Sequence, residues 1–155
     1  MALALSFLFA CIVSKFTVEN IPVEVHTLSS QQIDVVGAKV SSPLLQMNRL
    51  KLKLHLPFPT DAFKDVAINY INANKHQSSF KQPSTHSVVF NHTLDSTSYY
   101  VTFSTSNYIS VAKHQTHEYW IAPSNIINNS FSFTCQFTPT VKNILFPKYV
   151  AKTTM

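Results

Sequence analysis

Apolar and polar residues alternate along most of this chain, with the period of two that is typical of a half-buried β-strand. The clearest alternation spans 49–56, where leucine occupies every second position. The positions between the leucines are all basic: Arg49, Lys51, Lys53 and His55. A second alternation spans 130–137, and its apolar positions are Phe131, Phe133, Cys135 and Phe137. We expect both segments to form strands whose apolar side faces a core.

Shorter alternations predict the remaining strands. They cover residues 23–26, 33–40, 87–94, 98–105, 108–112, 118–122 and 141–150. Between two of them, Asp95-Ser96-Thr97 predicts a hairpin turn. Gly37 falls inside the 33–40 segment, where a glycine indicates a bulge or bend. Residues 75–86 are polar and contain Pro83, so we expect an exposed loop there.

One segment predicts a helix, over about 61–74. Thr60 suits the N-cap, and Asp61 and Asp65 lie in the first turns, where the helix dipole favours negative charge. The apolar positions follow a helical stripe: Phe63, Val66, Ala67, Tyr70 and Ile71. Seven or eight strands and one short helix predict a mainly β fold, an antiparallel β-sandwich or jelly-roll-like domain.

The chain contains a single glycine, Gly37. Glycine-rich phosphate loops and the G-x-S-x-G nucleophile elbow each need at least two glycines, so the sequence excludes these classes of site. Turns that require a positive φ must then use other residues, of which asparagine is the most tolerant. We expect Asn74, Asn107 and Asn129 to take this role.

The N-terminus begins with an apolar stretch over residues 2–13. It is too short for a membrane-spanning helix, and its length matches the apolar region of a secretory signal peptide. We therefore divide the chain into a signal peptide or hydrophobic anchor over 1–14, with cleavage after Ala10 or Ser14, and one β-rich domain over 15–155. A secreted or extracellular protein follows. The alternatives are membrane association through residues 2–13 and a buried first strand or helix formed by this stretch. Asn91 and Asn128 begin glycosylation sequons.

The net charge of +5 arises from few acidic residues as much as from many basic ones. The basic positions Arg49, Lys51, Lys53 and His55 would form one face of a strand able to meet an acidic partner or an anionic surface. Aromatic residues are not interleaved with them, so specific nucleic-acid binding is not predicted. Exposed Tyr119 and Trp120 would mark an interface, although packing in a core is the alternative for both.

The densest set of potential metal ligands is His114, His117 and Glu118. On a helix they would share one face, whereas in a strand that geometry fails. Cys135, among phenylalanines, is expected to be a small core residue. No spacing singles out a catalytic triad, and no cofactor motif is present.

These patterns favour a small secreted or envelope-associated β-rich interaction module that binds a protein or a surface and is not an enzyme. One alternative is a compositionally biased orphan or viral reading frame, whose product associates with membranes without defined chemistry. The other is a metal-dependent enzyme that uses His114, His117 and Glu118.

Overall fold

The computed structural model describes residues 11–59, 68–69 and 72–141. Strands dominate this part of the chain, and the short 3₁₀ turn Pro43–Leu45 interrupts them. The strands are Cys11–Val18 (β1), Ile21–Ser29 (β2), Val35–Ser41 (β3), Leu52–His55 (β4), Phe58–Pro59 (β5), Ile68–Asn69 (β6), His76–Ser84 (β7), Ser87–Leu94 (β8), Thr97–Thr105 (β9), Tyr108–Gln115 (β10), Glu118–Ser124 (β11) and Ser130–Thr138 (β12).

The strands form antiparallel sheets that pack together. The large sheet has seven strands in the order β1-β2-β3-β12-β9-β8-β7, and the small sheet has three in the order β10-β11-β4. Two short strands, β5 and β6, pair separately. All the pairings described are antiparallel. This arrangement confirms the predicted mainly β, sandwich-like domain.

The core lies between the large sheet and the small sheet. Its fully buried side chains are Val88, Phe90, Val101, Phe103, Tyr119, Ile121 and Phe131, together with Leu44 and Leu45 of the 3₁₀ turn. Rings from neighbouring strands stack on one another, as between Phe103 and Phe133, whose centroids are 4.8 Å apart. Burial of each such side chain stabilises the folded state by about 1.5–3 kcal/mol relative to leaving it in water. This burial holds the two sheets face to face.

The two strongest sequence alternations correspond to β4 and β12. In 49–56 the leucines are buried or half-buried, while Arg49, Lys51 and Lys53 are exposed. In β12 the alternation holds for Phe131 and Phe133 and fails at Phe137, which is 41 % exposed. The predicted hairpin is also present. Because Leu94 pairs with Thr97, its turn is only Asp95-Ser96, with Asp95 at φ 49°.

The expected loop over 75–86 is wrong, because residues 76–84 form strand β7 and pair with β8. Its inward positions include His76 and Ser78, so polar residues occupy both sides of the strand and hide the alternation. The predicted helix over 61–74 lies mostly outside the described residues, which omit 60–67 and 70–71. It does not extend over the rest, since Ile68-Asn69 pair as a strand with Phe58-Pro59 and residues 72–74 are not helical.

Gly37 does not form a bulge. It lies in an unbroken register between Leu28 of β2 and Thr134 of β12, and its φ is not positive. The left-handed positions of the described chain are instead taken by other residues. They are Glu19, Asn20, Asn48, Asp95, His117, Asn125, Asn128 and Asn129. The expectation is thus confirmed for Asn129 and wrong for Asn74 and Asn107.

The ends of the chain are described only in part. Residues 1–10 and 142–155 lie outside the described residues, so most of the predicted 1–14 leader and nearly all of the predicted 141–150 strand do too. Residues 11–14 belong to β1, which pairs along its whole length with β2. Within the described part of the chain, no helix is long and apolar enough to cross a membrane.

Candidate functional site

The turn between β10 and β11 sends its side chains to opposite faces of the small sheet. Glu118 and Trp120 lie on the outer face, because they pair with the outward residues His55 and Lys53 of β4. His117 and Tyr119 point inward and are buried. His117 occupies the tight turn at φ 60°, a conformation that histidine tolerates better than β-branched residues do. The alternation of β11 therefore builds two separate polar clusters.

The outer cluster is centred on the carboxylate of Glu118. Its Oε2 lies 3.3 Å from Lys53 Nζ and 3.7 Å from His55 Nδ1, and its Oε1 lies 3.8 Å from His114 Nε2. The Glu118 side chain is only 9 % exposed, whereas that of Lys53 is 52 % exposed. One shielded carboxylate thus faces three basic side chains that reach solvent. Lys53 supplies the exposed positive charge of this cluster, whereas the two histidines are charged only when protonated.

Trp120 lies beside the outer cluster on the middle strand of the small sheet. Trp120 is half-buried. Its register partner on β4 is Lys53, and its register partner on β10 is the small residue Ala112. The His114 ring lies 5.2 Å from the Trp120 ring. Trp120 is thus partly exposed on this face. The face therefore combines a large aromatic surface with cations.

The remaining basic residues near this face differ in their surroundings. Arg49 forms an ion pair with Glu19. Lys51 is exposed next to β4. The structure therefore gathers Lys53, His55, His114, Glu118 and Trp120 on one outer face, with Lys51 exposed just before β4. This is most of the binding and metal residues expected from the sequence. Tyr119 does not belong to this face, since it is wholly buried in the core.

The inner cluster consists of three buried imidazoles, His76 of β7, His92 of β8 and His117. The His76 and His117 rings are stacked with centroids 3.7 Å apart, and the His92 ring meets His76 edge-on at 4.8 Å. The Phe58 ring closes one side at 5.6 Å from His76. The cluster lies where the end of the small sheet meets β7 and β8. It connects the two sheets.

His117 takes part in one directed chain of hydrogen bonds. Its Nε2 lies 2.7 Å from the carbonyl oxygen of Ala73, which can only accept, so Nε2 carries the proton. In the neutral ring Nδ1 then accepts the proton of the Ser78 hydroxyl at 2.7 Å. The Ser78 oxygen in turn accepts from the Tyr119 hydroxyl at 2.7 Å. Ser78 of the large sheet is thereby bonded to two residues of the small-sheet hairpin.

His92 makes the second set of contacts in the inner cluster. Its Nε2 lies 2.5 Å from His76 Nδ1, and its Nδ1 lies 2.7 Å from the Tyr99 hydroxyl. Of the two facing ring nitrogens, one must donate and the other accept. Protonation of both rings would set two N–H groups against each other. In this geometry at most one of the two rings can therefore carry a positive charge.

The electrostatics of the inner cluster agree with this geometry. Burial, with smaller contributions from the neighbouring His76 and His117, lowers the pKa of His92 from its ordinary 6.5 to about 4. Burial also lowers the pKa of His76, with smaller effects from His117 and His55. Burial raises the pKa of the Tyr99 hydroxyl. The groups around these rings therefore disfavour positive charge.

The expected metal site is not assembled in this structure. His117 points into the core, away from His114 and Glu118, and both of its ring nitrogens are hydrogen-bonded. In the part of the chain that is described, no group of three His, Cys, Asp or Glu side chains has the geometry to hold a metal ion.

Ser78 and His117 do form the hydroxyl–imidazole contact seen in nucleophilic catalysis. The Ser78 oxygen, however, is bonded on both sides. A groove of about 580 Å³ lies beside β1 and β2, and none of its lining residues belongs to either cluster. The inner cluster is therefore best described as a polar connection between the two sheets.

The other predicted positions are distributed over the fold. Cys135 packs against the core, and burial raises the pKa of its thiol to about 12, so it is inert at neutral pH. Asn128 is exposed in the turn before β12. Asn91 lies in the middle of β8, where its side-chain oxygen is buried. Of the two sequons, the one at Asn128 is the more accessible.

Sequence reasoning missed His76, Ser78, His92 and Tyr99 as members of a cluster. A signal existed for His92, because it continues the inward positions Val88 and Phe90 of β8 and should therefore be buried. No signal in the sequence pairs it with His76 and His117, since these residues are 16 and 25 positions away from His92 along the chain. Only the strand order of the two sheets brings them together.

Comparisons with protein-family models, with curated proteins and with solved structures each give no match to this chain.

Proposed function

We propose that this protein is an interaction module that binds an acidic protein surface through the outer face of its small sheet. The observation that carries the proposal is the placement of Trp120 beside Lys53, His114 and the shielded Glu118 on one solvent-facing surface. Tryptophan is among the residues that contribute most to binding energy at interfaces.

Charge supports an acidic partner. On this face Lys51 and Lys53 carry exposed ammonium groups, while the carboxylate of Glu118 is covered by its three basic neighbours. A partner that approaches therefore meets cations first. Complementary charge of this kind raises the association rate and orients the partner, and the aromatic surface then supplies apolar contact.

The fluorescence of Trp120 can report binding at this face, because Trp120 is the only tryptophan in the chain. Titration with poly-glutamate, followed by tryptophan fluorescence, is expected to give saturable binding that weakens with salt. The double variant Lys51→Glu/Lys53→Glu changes the net charge from +5 to +1, since two lysines are lost and two glutamates gained. We expect it to bind about tenfold more weakly or worse, a loss of about 1.4 kcal/mol or more.

The matched control is Lys75→Glu/Lys81→Glu, which makes the same change of net charge at two exposed positions outside this face. It is expected to retain most of the affinity. Equal weakening by both double variants would show that only net charge matters and would contradict the proposed face. Binding to phosphatidylserine vesicles with no response to poly-glutamate would point to an anionic lipid surface and would also contradict it.

We further propose that the protein acts outside the cell. The apolar stretch over 2–13 supports a leader, and the exposed turn at Asn128 suits a glycan. Cleavage after Ala10 would leave strand β1 complete, whereas cleavage after Ser14 would remove its first half. N-terminal sequencing of the protein from a secreting cell distinguishes these outcomes, and an intact Met1 in a cytosolic product would refute secretion.

A further inference from the structure

The two edges of the large sheet are built differently. β7, at one edge, carries Lys81 and Pro83, and its pairing with β8 shifts register between Lys81 and Ser84. Lysine, proline and bulges are the devices that keep an edge strand from pairing with another chain. β1, at the other edge, pairs with β2 over all eight residues without a break.

Among the residues that the structure describes, β1 carries no comparable protection. Its one charged residue is Lys15, whose Nζ lies 3.1 Å from Oε2 of Glu24 on the neighbouring strand β2. Its apolar side chains are exposed on both faces of the sheet: Ile12 is 64 %, Phe16 49 % and Val13 47 % exposed. All eight residues of β1 are exposed. A long, regular and apolar edge of this kind is a template for another β-strand.

We propose that β1 is a homodimer interface, in which the β1 strands of two copies pair antiparallel and join the two large sheets. The sequence of β1 allows it to pair with the β1 strand of a second copy that is related by a two-fold axis. In an antiparallel pair related by a two-fold axis, opposite residues must lie on the same face of the sheet, so only every second register is possible.

One of these registers suits the side chains of β1 best. With Ser14 opposite Ser14 of the second copy, Ile12 lies opposite Phe16, an apolar pair of the kind that stabilises neighbouring strands. Lys15 then lies opposite Val13 and not opposite another Lys15. A shift of two residues in one direction brings the two Lys15 residues together, which like-charge repulsion disfavours. The Ser14-centred register is therefore the expected one.

This register is tested by a cysteine cross-link in the full chain. In a Cys11→Ser background, the variant Ser14→Cys places two thiols directly opposite each other, within the Cα separation that a disulfide spans. Mild oxidation is expected to give a covalent dimer. The control Lys15→Cys places its thiols out of register and on the other face, and is expected to stay mainly uncross-linked.

Sedimentation velocity tests the interface without cross-linking. The variant Ile12→Lys places a charge at an exposed position and is expected to raise the dimer dissociation constant about tenfold or more. The matched control Ser79→Lys, at an exposed position of β7, is expected to leave that constant unchanged. A full-length chain that remains monomeric at all concentrations, or a dimer that Ile12→Lys does not weaken, would overturn the proposal. So would cross-linking of Lys15→Cys as readily as Ser14→Cys.

Because this interface lies on the large sheet, it does not use the outer face of the small sheet. The dimer proposal therefore stands or fails independently of the proposed binding face. It needs β1 complete, so it is compatible with cleavage after Ala10 and not with cleavage after Ser14. A variant that loses dimerisation is expected to retain its response to poly-glutamate.

Discussion

The outer and inner clusters use the same side chain, histidine, in opposite ways. On the outer face His55 and His114 lie against the carboxylate of Glu118, with access to solvent. In the inner cluster His76, His92 and His117 contact one another, hydroxyl groups and a carbonyl oxygen, and all three are buried. The outer cluster is therefore suited to electrostatic binding, and the inner one to holding the two sheets together in their neutral state.

The difference arises from neighbouring residues in one turn. Glu118 follows His117 directly in the sequence, yet their side chains point to opposite faces of the small sheet. His117 lies in the turn at a positive φ with its ring in the core, whereas Glu118 is the first residue of β11 and faces the other side. Function-bearing and structure-bearing residues can therefore be adjacent along the chain.

The comparison is tested most strongly by removal of one ring from each cluster. His117→Asn keeps a residue that tolerates a positive φ and removes the stacked ring together with its bonds to Ser78 and Ala73. We expect the free energy of unfolding to fall by about 3 kcal/mol, from lost hydrogen bonds and a small cavity. Chemical denaturation monitored by circular dichroism measures it.

The matched variant His114→Asn removes a ring from the outer cluster and is expected to cost less than about 1 kcal/mol, because exposed ion pairs contribute little. Equal losses of stability in the two variants would contradict the division between the clusters.

Acid provides the second test. The folded-state pKa of His92 is about 4, below the ordinary 6.5, so between these pH values the unfolded chain binds more protons than the folded one. Stability is therefore expected to fall as the pH decreases from 6.5 to 4, by up to ~1.4 kcal/mol per pH unit for each histidine, and His76 acts in the same direction.

Glu24 contributes in a different pH range. His26 and Lys15 lower the pKa of its carboxyl from 4.5, so its stabilising effect is lost only as the pH falls below about 4.5. Unfolding curves between pH 6.5 and 4.5 therefore report mainly the inner histidines. The variant His92→Gln is expected to flatten this dependence, and an unchanged slope would show that other groups cause it.

A small effect, comparable to that of His114→Asn, is expected for Glu118→Gln in the outer cluster. The variant keeps the shape of the side chain and removes the charge that Lys53, His55 and His114 share. We expect a loss of about 1 kcal/mol at neutral pH, reduced by high salt because the partners reach solvent. Chemical denaturation of both proteins at low and at high salt measures the loss of stability under each condition. A loss as large as that of His117→Asn would mean that Glu118 acts as a buried charge.

Much of the fold was readable from periodicity. The alternations over 87–94, 98–105 and 130–137 correspond to β8, β9 and β12 almost residue for residue. In β8 one side of the strand faces the core and the other does not, whereas residues 101–105 of β9 are buried on both sides. β7 was not readable, because two of its inward positions are His76 and Ser78, which look like surface residues until their partners are known. Of its three buried or half-buried positions, only Phe80 is apolar.

The candidate site was readable only in part. The basic residues around 49–55 and the group 114–120 were both identifiable as polar clusters, but the sequence could not show that β4 pairs with β11 and sets Lys53 opposite Trp120. Nor could the sequence show that the side chains of His117 and Tyr119 point into the core and do not lie on that surface. Residue type predicts chemistry, whereas the face on which a residue lies depends on the sheet.

The sequence by itself determined that the chain is mainly β and where most strands run, because alternation is a local consequence of burying one side of a strand. It also determined that tight turns use residues other than glycine. Only the tertiary structure decided which strands are neighbours, and therefore which histidines meet a carboxylate and which meet only one another. That choice depends on contacts between residues far apart in the chain, which no local pattern encodes.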